Sequence, residues 1–475
     1  MTVSEISIPE QSRRHIVSLV YAGFWMLVFE GALRKWGLPK YSAFLYFIRD
    51  PLTLYIYVVA LRAGVFRARS ALLSVALVIA ALALLMAIAH VVTGGGQYSV
   101  VLAVYGMRNY FAYIPLAFVV GRCLSSDDIR RLCVQVLLAM MIAAPLAVLQ
   151  FNASPTSPLN VGISQDSSLQ FDNLVSGAGK VRPGGTFTSV VGMTQLTVIC
   201  VAVLMWGWTR PGRPRPLDAR LMAVGVVATA AALAVSGSRT SFVHSCLVIA
   251  AGVVVAPFLP GAGAKLRSLL IPAIGVAGFA VLFPIVLPEA FSTFMSRWTD
   301  AAANEGETFT LGWVGRALHG FYDFFRLMGD TPLLGYGVGL AGNGASSAGV
   351  TVQGVNVLRL AEEDWSRHVV ELGPLLALVF IAFRIAFGVW LGRQAWRATR
   401  HSSDPLPVLL FAYAAVALVQ GQITGHGLVN GFGWLLVGVC MAASARGLES
   451  RGGSSHSEVV SVGPAPVAVF PNLMR

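Results

Sequence analysis

The sequence predicts an all-α integral membrane protein, and three observations carry that reading. Its 475 residues are 56% hydrophobic and only 12% charged, where soluble domains carry roughly 25% charged residues. Mean hydropathy is +0.71. About twelve apolar runs approach the roughly 17–25 residues that a membrane-crossing helix needs.

In approximate limits the runs are 16–33, 43–61, 70–92, 99–121, 132–150, 188–208, 220–236, 241–258, 268–287, 368–391, 406–421 and 430–445. The first contains Glu30 and continues into "RKWGLPKY", with no small-residue cleavage site. It therefore reads as a retained span and not as a signal peptide. The second and fourth carry Arg49, Asp50 and Arg108 within an apolar setting. The seventh and eighth are short and joined only by "SGSRTSF". A long segment, 288–367, separates the ninth from the tenth, and another, 151–187, separates the fifth from the sixth. Residues 1–445 thus form one polytopic domain. The remainder, 446–475, is rich in Ser, Gly and Pro and reads as a disordered tail. Cys123, Cys133, Cys200, Cys246 and Cys440 are scattered among the runs, which gives neither a disulfide framework nor a metal spacing. No metal and no cofactor is expected.

A net charge of +12 invites a nucleic-acid partner, but loop arginines that fix membrane topology explain it better. With the N-terminus inside and the spans alternating, about 20 of the 34 Lys and Arg fall on the cytoplasmic side. The acidic residues lean the other way. Both termini are then cytoplasmic, and 151–187 and 288–367 lie outside.

Three arginines break that rule. Arg49 ("FIRDP"), Arg108 ("YGMRNYF") and Arg239 ("SGSRTSF") sit in or near the outer halves of their spans. An arginine at bilayer depth costs about 2.5–3.5 kcal/mol on insertion scales and usually faces a cavity or a partner. Pairing with Asp50 or Glu30 is one account. Glu30 and Arg34, four apart on a helix, read as a structural pair. His244, a turn beyond Arg239, reads as a core histidine.

The outer segment 288–367 offers more. Arg316, His319, Asp323 and Arg326 recur at three and four residues, opposite Trp313, Phe321, Phe324 and Met328, which describes an amphipathic helix on the membrane surface. Gly337, Gly339 and Gly342 match G-x-G-x-x-G, but a loop sequence follows where a dinucleotide site needs a helix. These glycines suit a tight backbone path near a ligand or near span ends. "EEDWSRHVVELG" then leads into the tenth run with Glu363, Arg367, His368 and Glu371. His368 and Glu371, three apart, can share one cavity, and either suits general-base work.

In this order and topology the motifs "GTFTS", "SGSRTSF", "WVGRALHGF", "TPLLGYGVG" and "SRHVVELG" resemble the bacterial O-antigen ligase and O-antigen (exopolysaccharide) polymerase superfamily, over roughly residues 185–445. The resemblance implies a glycosyltransferase-C-like membrane fold in the bacterial inner membrane. It implies metal-independent, inverting transfer of an undecaprenyl-diphosphate-linked glycan to a sugar hydroxyl at the periplasmic face. Arg239 matches the family's hairpin arginine and Arg316 its loop-helix arginine; with Arg108 and Arg49 they are the candidates for holding the diphosphate. His368 is the nearest match to the family's catalytic histidine but lacks the following asparagine, so the base stands open between His368, Glu371 and Glu363. Expected partners are membrane lipids, the lipid-linked glycan and other polysaccharide assembly proteins, with no nucleic acid. Two other classes fit the composition: a transporter or flippase for lipid-linked glycan, and a non-catalytic member of an export assembly.

Overall fold

The structure, a computed structural model, describes residues 8–67, 70–93, 98–163, 179–210, 217–304, 324–341 and 363–449. Among these it is helical, and ten helices are long and apolar enough to cross a membrane. In chain order the main helices are α1 (Glu10–Ala32), α2 (Arg49–Arg62), α3 (Ala71–Thr93), α4 (Val100–Met107), α5 (Ile114–Cys123), α6 (Ser126–Asn152) and α7 (Val190–Thr209). There follow α8 (Ala219–Ser236), α9 (Arg239–Val255), α10 (Ala262–Val286), α11 (Pro288–Asn304), α12 (Asp364–Ser402), α13 (Leu406–Val419) and α14 (Gly427–Glu449).

Local chemistry marks the helix starts. Ser125 and Asp128 form a reciprocal capping box on α6, a device whose hydroxyl half alone is worth about 1 kcal/mol. Asp218 caps α8, and Ser238 caps α9 by accepting from Ser241 N–H. The α8–α9 connection is only Gly237 and Ser238, and Gly237 takes φ +51°, the left-handed stop that glycine tolerates.

Helices α7 and α14 form the centre, with 83% and 89% of their apolar windows buried. The apolar windows of α10 (11%) and of the span containing α2 (22%) are mostly exposed, so these helices lie at the rim. Their exposed faces are apolar, including Leu54, Ile274 and Ile285, as lipid contact requires. Small residues allow the tightest approach. At Gly438 of α14 an added Cβ would lie 2.7 Å from Val120 and 2.8 Å from the Ala117 carbonyl of α5.

The two described chain ends share one end of the bundle. Arg13 binds Asp128 at 2.6 Å and the Cys123 carbonyl at 3.0 Å, while Arg446 reaches the Leu124 carbonyl at 3.2 Å. We call this the terminal end.

Three of the twelve expected runs depart from straight spans. The 99–121 run is broken: α4 ends at Met107, a π-helical turn covers Arg108–Ala112, and α5 starts at Ile114. The 406–421 run gives a helix of only 14 residues, α13. The third departure corrects the expectation that a span begins at His368. Gly373 takes φ +74° inside α12, and the chain folds back there. Asp364 reaches Arg384 at 2.5 Å, and the rings of His368 and Phe380 lie 5.0 Å apart. On a straight helix, residues 20 apart stand about 30 Å apart. The first arm, 364–372, therefore runs beside the second, and only 374–402 has spanning length.

The fold-back apex is held by the glycine segment. Tyr336 N–H donates to the Val370 carbonyl at 2.8 Å, and a Cβ on Gly335 would lie 2.5 Å from Gly373 N. Gly337 and Gly339 take positive φ, and the Gly339 Cα side packs on Gly106 of α4. The segment is a backbone interlock at span ends, as its glycines suggested. Gly342 lies outside the described residues.

Candidate functional site

Broken and short helices place a polar layer at one depth. At ~1.5 Å per residue, Arg49 stands about 20 Å from the terminal-end limit of α2, Arg239 about 24 Å from that of α9, and Arg384 about 27 Å from that of α12. With a hydrocarbon core of about 30 Å, the layer lies in the half of the bundle remote from the termini.

The first cluster joins α1 and α2. Glu30 sits between Arg34, at 3.2 Å, and Arg49, at 2.7 Å; the second contact is an ion pair whose angle makes no hydrogen bond. Arg49, only 3% exposed, also donates to the Gly427 carbonyl at 3.1 Å. A side chain on Gly431 would fall on its guanidinium. The second cluster is Arg108 on Asp50, at 3.0 and 3.1 Å, with Tyr46 at 3.1 Å and Tyr113 donating to Asp50 at 2.5 Å. Arg49 and Arg108 thus have the acidic partners that were one reading of them.

The third cluster is the most buried. Asp364 accepts from Arg384 at 2.5 Å and from Thr424 at 2.8 Å. Arg384 also donates to the carbonyls of Leu418 (2.7 Å), Ala417 (3.1 Å) and Gly421 (3.1 Å), so it satisfies the orphan acceptors at the end of α13. Its Nη1 stands 2.5 Å from His368 Nε2. A guanidinium only donates, so Nε2 accepts and the His368 Nδ1–H faces the Tyr110 hydroxyl at 3.0 Å. Tyr110 in turn meets the Glu371 carboxylate. The π turn therefore serves two clusters: Arg108 at one end, Tyr110 at the other.

The expected base residues take distinct positions. His368 is fully buried, with both ring nitrogens engaged. Glu371, 2% exposed, accepts from Ala341 N–H at 2.8 Å on Oε1, while its Oε2 has no hydrogen-bond partner. Glu363 is half-buried at the start of α12. Arg239 is half-buried in the first turn of α9, where Thr194 binds the adjoining Ser238 at 3.3 Å. Arg316 and most of its expected amphipathic helix lie outside the described residues. Of that helix 324–330 is described and helical, with Phe324 against Trp365 at 5.9 Å. His244 is half-buried.

Sequence reasoning missed two features. Arg384 was legible as a lone arginine in the apolar stretch 374–392. The "TGHG" turn, residues 424–427, had no marker beyond its glycines. His426 in that turn is held neutral: burial, with Arg367 and Arg49 beside it, pushes its pKa down to about 4.

A small opening of about 30 Å³ lies beside Arg49, lined also by Leu27, Leu52, Ile56, Leu116 and Leu435. Its walls are nearly all apolar. Among the described residues no three His, Cys, Asp or Glu side chains gather as metal ligands do; the donors here are guanidinium groups. No protein-family model matches the sequence, and the comparison with curated proteins gives no match.

Proposed function

We propose that the chain is a polysaccharide polymerase or ligase of the bacterial inner membrane. It transfers a glycan from an undecaprenyl-diphosphate carrier to a sugar hydroxyl at the periplasmic face. The observation that carries this reading is the small apolar-walled opening beside Arg49 within a layer of buried arginines. An isoprenoid chain needs the first and a diphosphate the second, since guanidinium forks match phosphate oxygens. The charge bias of the loops sets this layer toward the outer leaflet.

In this reaction the acceptor hydroxyl oxygen bonds to the anomeric carbon from the face opposite the diphosphate. The carbon–oxygen bond to the diphosphate breaks and its electron pair leaves with the phosphate. The hydroxyl proton passes to a base. Arginines of the layer, with Arg239 and Arg316, stabilise the charge that develops on the leaving group. His368 orients Tyr110 and Glu371, and Glu371, with one unpartnered oxygen, is the better placed of that pair to take the proton.

The test is purified protein in liposomes supplied with lipid-linked glycan. Chain growth or transfer is expected, and Arg239→Ala should abolish it at normal membrane levels. Wild-type yield in that variant would refute the phosphate role of Arg239. A second reading, a transporter or flippase for the same lipid, is favoured by the three helix breaks at one depth, which such proteins use to build binding sites. Leaflet movement without transfer in the same liposomes would select it.

A further inference from the structure

His90, in the last turn of α3, presents both ring nitrogens to carbonyl oxygens. Nδ1 stands 2.8 Å from the Met86 carbonyl, one turn back on its own helix, and Nε2 stands 3.1 Å from the Gly335 carbonyl. A carbonyl oxygen only accepts, while a neutral imidazole carries one N–H and one lone pair. A neutral His90 would aim that lone pair at one of the two oxygens. The arrangement therefore calls for a proton on each nitrogen, which makes the ring a cation.

The surroundings suit that charge. His90 is the only charged or titratable residue of α3, and it sits where the last carbonyls of a helix favour a cation. At ~1.5 Å per residue it lies about 28 Å from the start of α3, half-buried at the end of the bundle remote from the termini. The Tyr98 ring is 5.7 Å away and spends its hydroxyl on the Val338 carbonyl at 2.7 Å. Tyr336 and Glu371 flank Gly335 from the segment itself and from the arm behind it. In the same half of the bundle, the other elements packed on α3 carry Arg108, held by Asp50, and Arg384, held by Asp364, with Tyr105, Tyr110, Arg367 and His368. Among the described residues no carboxylate pairs with His90.

The segment that His90 holds is the one that shapes the fold-back. Gly335 takes φ +68° and packs on Gly373. Tyr336 and Gly337 N–H donate to the Val370 and Glu371 carbonyls at 2.8 and 3.3 Å, and Ala341 N–H donates to the Glu371 carboxylate at 2.8 Å. His90 on Gly335 and Tyr98 on Val338 grip the same segment from α3 and from the start of α4.

We propose that His90 is a proton-operated latch. Charged, it pins Gly335 to the end of α3, and with Gly335 the segment that seats the Glu371 carboxylate. Uncharged, it keeps the shorter bond to Met86, made within one helix, and gives up Gly335. A contact made by the protonated form is present at low pH and lost as pH rises, and histidine ordinarily changes charge between about pH 5 and 8. The latch stands apart from the transferase reading, since it concerns how the segment is held and not what is transferred.

The experiment takes two readouts on the full chain in nanodiscs from pH 5 to 8.5. Nitrogen NMR of histidine-labelled protein reads the protons on the ring, with His90→Gln, or His90→Asn where the glutamine variant does not fold, identifying the His90 signals. Hydrogen exchange, corrected for the intrinsic effect of pH, reads the opening of 335–341. At pH 5 both His90 nitrogens should carry protons and 335–341 should exchange slowly. At pH 8.5 Nε2 should carry none, and exchange should be about tenfold faster, the change that loss of one hydrogen bond from a charged donor produces. In a folded variant, which cannot titrate at this position, that pH response should vanish. A ring that keeps one protonation state across the range would overturn the latch. So would a ring that titrates without changing exchange at 335–341, or a pH response that persists in the folded variant.

Discussion

Replacing Arg384 by methionine removes one side chain and strands five acceptors, His368 Nε2 among them. Arg384 is 1% exposed and holds Asp364 at 2.5 Å, together with the carbonyls of Leu418, Ala417 and Gly421 at 2.7 to 3.1 Å. Breaking a buried ion pair from one side costs about 3–5 kcal/mol, because the surviving charge stays buried. Each orphaned carbonyl adds about 1–3 kcal/mol wherever water does not replace the donor. Arg384→Met should therefore destabilise by at least about 3 kcal/mol. The double variant Arg384→Met/Asp364→Asn should recover part of that loss, since it removes the stranded charge; a coupling of about 0.5–3 kcal/mol is the usual range for residues in contact. The assay is denaturant unfolding in detergent. It is read from Trp365, whose indole N–H donates to the Val419 carbonyl at 2.6 Å and so reports on the end of α13. A loss below about 1 kcal/mol with Asp364 intact, or strict additivity in the double variant, would refute the claim that this pair holds the fold-back arm in place.

Gly373→Ala combines φ +74° with a Cβ that would run into the Leu333 carbonyl; the backbone preference alone costs about 1–2 kcal/mol, so folded yield should fall sharply, measured by gel filtration of the solubilised protein. The Lys180–Glu289 pair, at 2.8 Å, ties the segment before α7 to α11. Lys180 holds the Glu289 carboxyl below the usual carboxylate range. A lowered carboxylate pKa gives a contact present above the unfolded value and lost as pH falls through the folded one, so hydrogen exchange at 179–189 should rise on acidification toward pH 3. Lys180→Gln should remove that pH response.

Much of the helical layout was legible because hydropathy over about 20 residues reports a span directly. The ion pairs were half legible. Glu30–Arg34 follows from four-residue spacing, whereas Arg49 reaching Glu30 and Arg108 reaching Asp50 depend on which helices are neighbours. The fold-back of α12 escaped for a physical reason. Its second arm is long and apolar enough to absorb Arg384, and a run drawn from His368 hides the Gly373–Pro374 step, although Gly-Pro pairs mark turns. Once the arm is folded back, His368 moves from a helix entering the bilayer to the interior beside Arg384. That Arg367 leaves Nε and Nη1 without a hydrogen-bond partner was not legible at all, because it depends on how the first arm of α12 packs against the turn at Gly425.

The folded-back arm also sets an order of assembly. The arm 364–372 is too short to be inserted as a span, and its Asp364 has its partners on 374–402 and on the 420–424 turn, all of which are synthesised later. Asp364 is made before Arg384, so the pair can form within this hairpin as Arg384 enters the membrane and offset the insertion cost of an isolated arginine, about 2.5–3.5 kcal/mol. The arm can reach Thr424 only after α13 has followed. The contact of that arm with Thr424 is the later one to form, and it closes the layer from the end of the bundle remote from the termini.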